Sequence, residues 1–177
     1  MHPWSMQTEG EVVGLTDAAV EWASFDAFFE QGHERLFRAL YFVTGSRQDA
    51  EELMQDAFLK LWERWGDRRI EDPTAYLFRV ALNGFRMRRR RAAMAIRKVM
   101  PAPESRDAFA DVEIRAEVRR LLLEITPRQR AALVLVDLLE YPSEEAARIL
   151  GVRPSTVRAL ATKGRQALRS TEEARDA

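Results

Sequence analysis

Residues 142–165, "PSEEAARILGVRPSTVRALATKGR", decide the fold. A short helix starts near Ser143 and stops at Gly151, and a second starts near Pro154. Two helices joined by so tight a turn need a small residue where they touch, a glycine in the turn and an aliphatic side chain to pin the second helix. Ala147, Gly151 and Val157 occupy those places at intervals of four and six residues, flanked by Leu150 and Val152. Arg153 precedes the second helix, which then offers Ser155, Thr156, Arg158, Thr162, Lys163 and Arg165 as polar or basic contacts to a DNA groove. A plain helical hairpin also ends on glycine, so the local charge helps decide: Tyr141 to Arg169 holds six bases against two acids.

Working outward, helix is the only period present. Phe25, Phe29, Leu36, Leu40 and Val43 mark a first helix, with Ser24 expected as its N-cap and Gly45 as its stop. Ser46 and Asp49 have capping-box spacing, and the helix they open should run through Leu53, Ala57 and Leu61 to Trp65 before Gly66. Asp72-Pro73 starts a third helix, because aspartate accepts orphan amide protons and proline loses nothing at the first helical position. Thr126, Pro127, Arg128 and Gln129 form a capping box for a later one. The fold class is all-α, in two helical domains joined by a flexible linker. The expected boundaries are an acidic, loosely ordered segment 1–23, a first domain 24–99, a linker 100–111, a second domain 112–170 and a tail 171–177.

Charge is balanced overall, 28 Lys and Arg against 28 Asp and Glu, but it is unevenly spread. Met1 to Glu34 carries seven acids and no Lys or Arg, whereas Gly66 to Lys98 carries ten bases and three acids. Two basic islands are what two separate phosphate contacts need. The first lies on the third helix, where Arg79, Arg86, Arg88, Arg89, Arg90 and Arg91 stand with Tyr76 and Asn83. Arginines neutralise phosphates, and an aromatic or Asn holds an unstacked base, each stacking contact contributing about 1–3 kcal/mol. Phe78 and Leu82 on the same helix are read as core. With no cysteine and two histidines, neither a metal site nor a cofactor is expected, and the expected location is a reducing cytoplasm without membrane insertion.

In order, "DAEELMQDAFLKLWERW", "DPTAYLFRVALNGFRMRRRR" and "TPRQRAALVLVDLLEYPSEEAARILGVRPSTVRALATKGRQALR" resemble the sigma-70 family, in particular its extracytoplasmic-function (ECF) group. The resemblance covers about Phe25 to Arg169. It implies a non-catalytic protein that joins core RNA polymerase, with a region 2 domain on the promoter minus-ten element and a region 4 domain on the minus-thirty-five element. It also implies that Asp49, Glu52, Leu53, Gln55 and Asp56 face the polymerase, that Tyr76, Asn83 and the arginines from Arg86 onward hold the melted non-template strand, and that Arg153 through Arg165 read duplex. An inhibitory anti-sigma partner is common in that family. Two departures stand out: Ala159 and Leu160 where members often carry Ser-Arg, and the stretch near Met87, where many carry an aspartate.

On the residues alone two rivals stay in play. A stand-alone helix-turn-helix regulator would bind duplex tightly without polymerase. A nucleic-acid-processing enzyme would need metal-binding carboxylates or a nucleophile–base pair beside the basic helix, and neither cluster is evident.

Overall fold

The computed structural model describes the backbone of residues 9–95 and 113–176 and the side chains of residues 23–94 and 117–175. Every regular element among them is helical: α1 Glu9–Thr44, α2 Arg47–Trp62, α3 Pro73–Ala95, α4 Glu113–Glu124, α5 Pro127–Leu133 continued by a π-helical turn Val134–Leu138, α6 Ser143–Leu150 and α7 Pro154–Asp176. Residues 1–8 and the expected linker 100–111 lie outside the described residues.

Local capping chemistry sets most of the boundaries. Gly45, at φ +74, ends α1, and its N–H donates to the Tyr41 carbonyl at 2.8 Å. The Ser46 hydroxyl then accepts from the Asp49 N–H at 3.2 Å, while the Ser46 N–H donates to Thr44 Oγ1 at 3.1 Å instead of to Asp49. Asp72 Oδ1 accepts from the Ala75 N–H at 3.0 Å, and Thr126 and Gln129 form a complete capping box. At the end of α6, Gly151 (φ +65) and Val152 both donate to the Ala147 carbonyl.

Three expected boundaries move. Ser24 is not an N-cap: α1 already runs from Glu9. The apolar repeat reaches back through Leu15, Ala18 and Trp22, and a serine inside a helix costs only a few tenths of a kcal/mol to ~0.7 kcal/mol. Helix α2 stops at Trp62 rather than Trp65. The turn beyond it folds Trp65 back onto Phe25, ring centroids 5.1 Å apart, before Gly66 at φ +80. At the other end, the expected tail is helical as far as Asp176.

Helices α1–α3 form one unit, centred on Leu36, Leu40, Leu53, Leu61 and Leu77, with an aromatic end where Phe25 meets Trp62 at 4.9 Å and Phe29 meets Phe58 at 4.7 Å. Helices α4–α7 form the second, around Leu135, Ile149 and Val157. Within it α5 and α7 approach closely, since a Cβ on Gly164 would lie 2.9 Å from Leu133 Cδ1. The two units pack together, and their buried residues form one continuous cluster.

The π-helical turn was not anticipated. Its wide turn closes with the Leu139 N–H on the Val134 carbonyl at 3.0 Å and leaves Glu140 at φ +58. A left-handed conformation costs a non-glycine residue about 1–2 kcal/mol. Glu140→Gly should therefore raise the thermal midpoint by about 1–3 °C. An unchanged or lower midpoint in a calorimetric scan would show that the strain is absent.

Candidate nucleic-acid interface and its acidic counterpart

Helix α3 separates its two faces cleanly. Leu77, Phe78, Ala81, Leu82 and Phe85 are buried, as expected of Phe78 and Leu82, so the remaining positions project outward. Arg79, Asn83, Arg90 and Arg91 are exposed. The other four expected contacts are engaged within the chain. Tyr76 is half-buried beneath the Arg64 guanidinium, 5.5 Å from its ring centre, and Arg89 lies 5.9 Å over the Phe85 ring. Arg86 Nη1 donates to the Leu150 carbonyl at 3.3 Å, reaching into the second unit. Arg88 turns the other way, towards α2.

There it meets the acidic face. Arg88 Nη1 lies 2.6 Å from Glu52 Oε2 and 3.7 Å from Asp49 Oδ1, and Nη2 lies 3.2 Å from Asp56 Oδ2. Hydrogen bonds from Gln48 and then Arg88 hold the Glu52 carboxyl below its usual value. Gln55 is exposed beside them. Leu53 requires a correction: it is 1% exposed and packs between α2 and α3, so it offers no apolar contact to a partner. The apolar residue on the outward stripe with Glu52, Gln55 and Asp56 is Leu59, 61% exposed.

In the second unit the three helix-turn-helix roles are filled as expected. Ala147 is buried, Gly151 is left-handed and Val157 is fully buried. With Val157 and Ala161 inward, α7 turns Ser155, Thr156, Arg158, Thr162 and Lys163 outward, and Arg153 is exposed just before it. Arg158 lies 3.4 Å from Glu144. Arg165 is held in a two-pronged pair with Asp137, at 2.8 and 2.7 Å, and those hydrogen bonds raise its pKa against slight desolvation.

Both basic helices border one cleft of about 950 Å³, α3 with Asn83, Arg86, Arg89 and Arg90 and α7 with Thr156 and Leu160. Residues the sequence did not single out hold the units together. Tyr141 sets its ring edge-on to Phe78, centroids 5.9 Å apart, and burial raises its hydroxyl pKa. Arg35 lies 5.9 Å over the Tyr141 ring and donates to the Leu139 carbonyl at 3.1 Å. Arg119 donates to the Gly45 carbonyl at 2.7 Å. Two groups oppose this packing: Arg119 Nε is buried with no hydrogen-bond partner among the described residues, and Arg130 more so. Arg130 is buried, its Nε and Nη1 have no hydrogen-bond partner among the described residues, and burial, then neighbouring Arg89, brings its pKa down to about 10. Tyr141 and Arg35 stand 106 positions apart, so no local pattern could have paired them.

Among the described residues no cluster of His, Cys, Asp and Glu could hold a metal ion, and no helix is long and apolar enough to cross a membrane.

Comparison with known proteins agrees with this geometry. Residues 28–94 match the family described as Sigma-70 region 2, and residues 115–168 match Sigma-70, region 4. The ECF RNA polymerase sigma factor SigM of Mycobacterium tuberculosis is 31% identical over 169 residues, an alignment covering 92% of this chain and 83% of SigM. SigE of Mycolicibacterium smegmatis is 29% identical, covering 96% of this chain and 69% of that protein. Among solved structures, the sigma factor RpoE of Bartonella quintana, determined with the anti-sigma factor NepR, shares the fold at a TM-score of 0.69 and 18% identity, over 85% of this chain and 97% of RpoE. The structure of M. tuberculosis SigJ has a TM-score of 0.53 at 29% identity, over 80% of this chain and 52% of SigJ. Helices α1–α3 are thus a region 2 domain, α4–α7 a region 4 domain, and the chain belongs to the ECF group of the sigma-70 family of RNA polymerase sigma factors.

Proposed function

We propose that this sigma factor docks on core RNA polymerase through the outward face of α2, reads duplex promoter with α7 and holds the opened strand on α3. The observation that carries this reading is the pair of basic helices on separate units, with an acidic face beside one of them. On α2, Asp49, Glu52, Gln55 and Asp56 orient the complex and Leu59 replaces Leu53 as the apolar contact. On α3, Arg79, Arg86 and Arg89 to Arg91 neutralise phosphates, while Tyr76 and Asn83 hold bases that have left the stack. On α7, Ser155, Thr156, Arg158, Thr162 and Lys163 enter the major groove, with Arg153 and Arg165 on the backbone.

A cleft of about 950 Å³ has the volume of a small-molecule site and cannot admit a duplex. The units must therefore part before promoter DNA reaches the α3 residues that line it, Asn83, Arg86, Arg89 and Arg90; of the outward α7 residues only Thr156 borders it. Polymerase supplies that separation by seating each unit at its own site, and it turns two weak DNA contacts into one strong one through effective concentration. The chain performs no catalysis, works in the cytoplasm, and takes an anti-sigma factor as its inhibitory partner; RpoE of B. quintana was solved in complex with the anti-sigma factor NepR.

Run-off transcription with core polymerase tests the reading. Adding the protein should produce promoter-dependent transcripts, and their absence on every candidate template would refute it. Arg90→Ala and Arg91→Ala should each lower the slope of log affinity against log salt for holoenzyme–promoter binding by about one. An unchanged slope would remove those arginines from the phosphate contacts.

A further inference from the structure

We propose that Arg88 is an internal competitor for the polymerase-binding face, so that docking on the polymerase releases it for promoter DNA. This rests on the reading of α2 as the docking face. Four consecutive arginines run from Arg88 to Arg91, yet Arg88 alone among them spans to another helix, where its two terminal nitrogens meet three carboxylates within 3.7 Å. The three acids stand at positions i, i+3 and i+7 of α2 and form one row. One guanidinium leaves that row with two uncompensated negative charges, so it still attracts a cationic partner. The nitrogens that would grip a phosphate are the same ones that hold the carboxylates.

The side chains are placed for exchange. Arg88 is 34% exposed and the three acids 45–58%, so an incoming cation reaches the carboxylates without unfolding anything. Exposed ion pairs are individually weak, and a few of them make a latch that a polymerase surface can open. By reciprocity, whatever factor Arg88 costs polymerase binding returns as tighter DNA binding once polymerase is in place. Arg88 is thus a positioning residue that links the two partners and touches the polymerase in neither state.

The test is titration of the full chain, as Arg88→Gln, Arg88→Lys, Glu52→Gln and Asp56→Asn variants, against core polymerase, alongside holoenzyme binding to a promoter fragment. Thermal melts confirm that each variant is folded. With the competitor gone, Arg88→Gln should bind core polymerase about three- to tenfold more tightly, and its holoenzyme should bind promoter more weakly with a shallower salt slope. Arg88→Lys keeps the charge and should fall between Arg88→Gln and the unchanged chain. Glu52→Gln and Asp56→Asn should weaken polymerase binding. If they do while Arg88→Gln binds no more tightly than the unchanged chain, Arg88 is a structural staple and the proposal fails alone. If Glu52→Gln and Asp56→Asn leave polymerase binding unaltered, the assignment of the docking face fails and the proposal falls with it.

Discussion

Leu53→Ala lowers the stability of the chain by about 2–5 kcal/mol, the usual cost of truncating a fully buried leucine. In a domain of this size that is a fall of about 5–15 °C in the thermal midpoint. Leu53 is 1% exposed, and its Cδ2 lies 3.0 Å from where a Cβ on Gly84 would stand, so the cavity would open directly beneath α3. Transcription should be lost through the seat of α3, the helix proposed to hold the opened strand. Leu59→Ala is the matched control: it changes stability by less than about 0.5 kcal/mol and weakens polymerase binding about five- to thirtyfold. Denaturant titration and polymerase titration of both variants separate the two effects. A stable Leu53→Ala chain that no longer binds polymerase would overturn the placement of Leu53.

Tyr141→Ala combined with Arg35→Ala opens the packed arrangement. The Tyr141–Phe78 contact contributes about 0.5–1.5 kcal/mol, and a hydrogen bond from a charged group about 1.5–3 kcal/mol. The Arg35–Tyr141 contact is shared by both substitutions, so the effects do not simply add. A shift of about 2 kcal/mol moves the closed-to-open ratio about thirtyfold. Small-angle scattering should report a larger radius of gyration for the double variant. Because neither residue is assigned to DNA, its free form should bind single-stranded minus-ten DNA more tightly than the unchanged chain does, through the α3 residues that line the cleft. Identical scattering curves would show that the packing depends on other contacts.

How much of this was legible in the sequence follows the range of each interaction. Ser46, Asp72, Thr126 with Gln129, Gly45 and Gly151 were readable because a cap is decided within four residues. Ala147 and Val157 were readable because the turn fixes their spacing. Leu53 was misread because the apolar stripe of α2 is broad: Leu53, Met54, Phe58, Leu59, Leu61 and Trp62 nearly encircle the helix, and periodicity alone does not single out the outward one. Contacts between the units left no local signal at all. Nor did the division of labour among the arginines, since Arg86, Arg88 and Arg90 look alike until their partners on other helices are known.

The close approach at Gly164 bears on how this protein can diverge. With Leu133 filling the space a side chain at position 164 would need, α7, the helix proposed to read duplex, lies close against α5. Descendants of this chain therefore have little freedom to acquire a new promoter preference by re-aiming that helix. On the proposed reading, the readier route is exchange of outward residues such as Ser155, Arg158, Ala159 and Thr162.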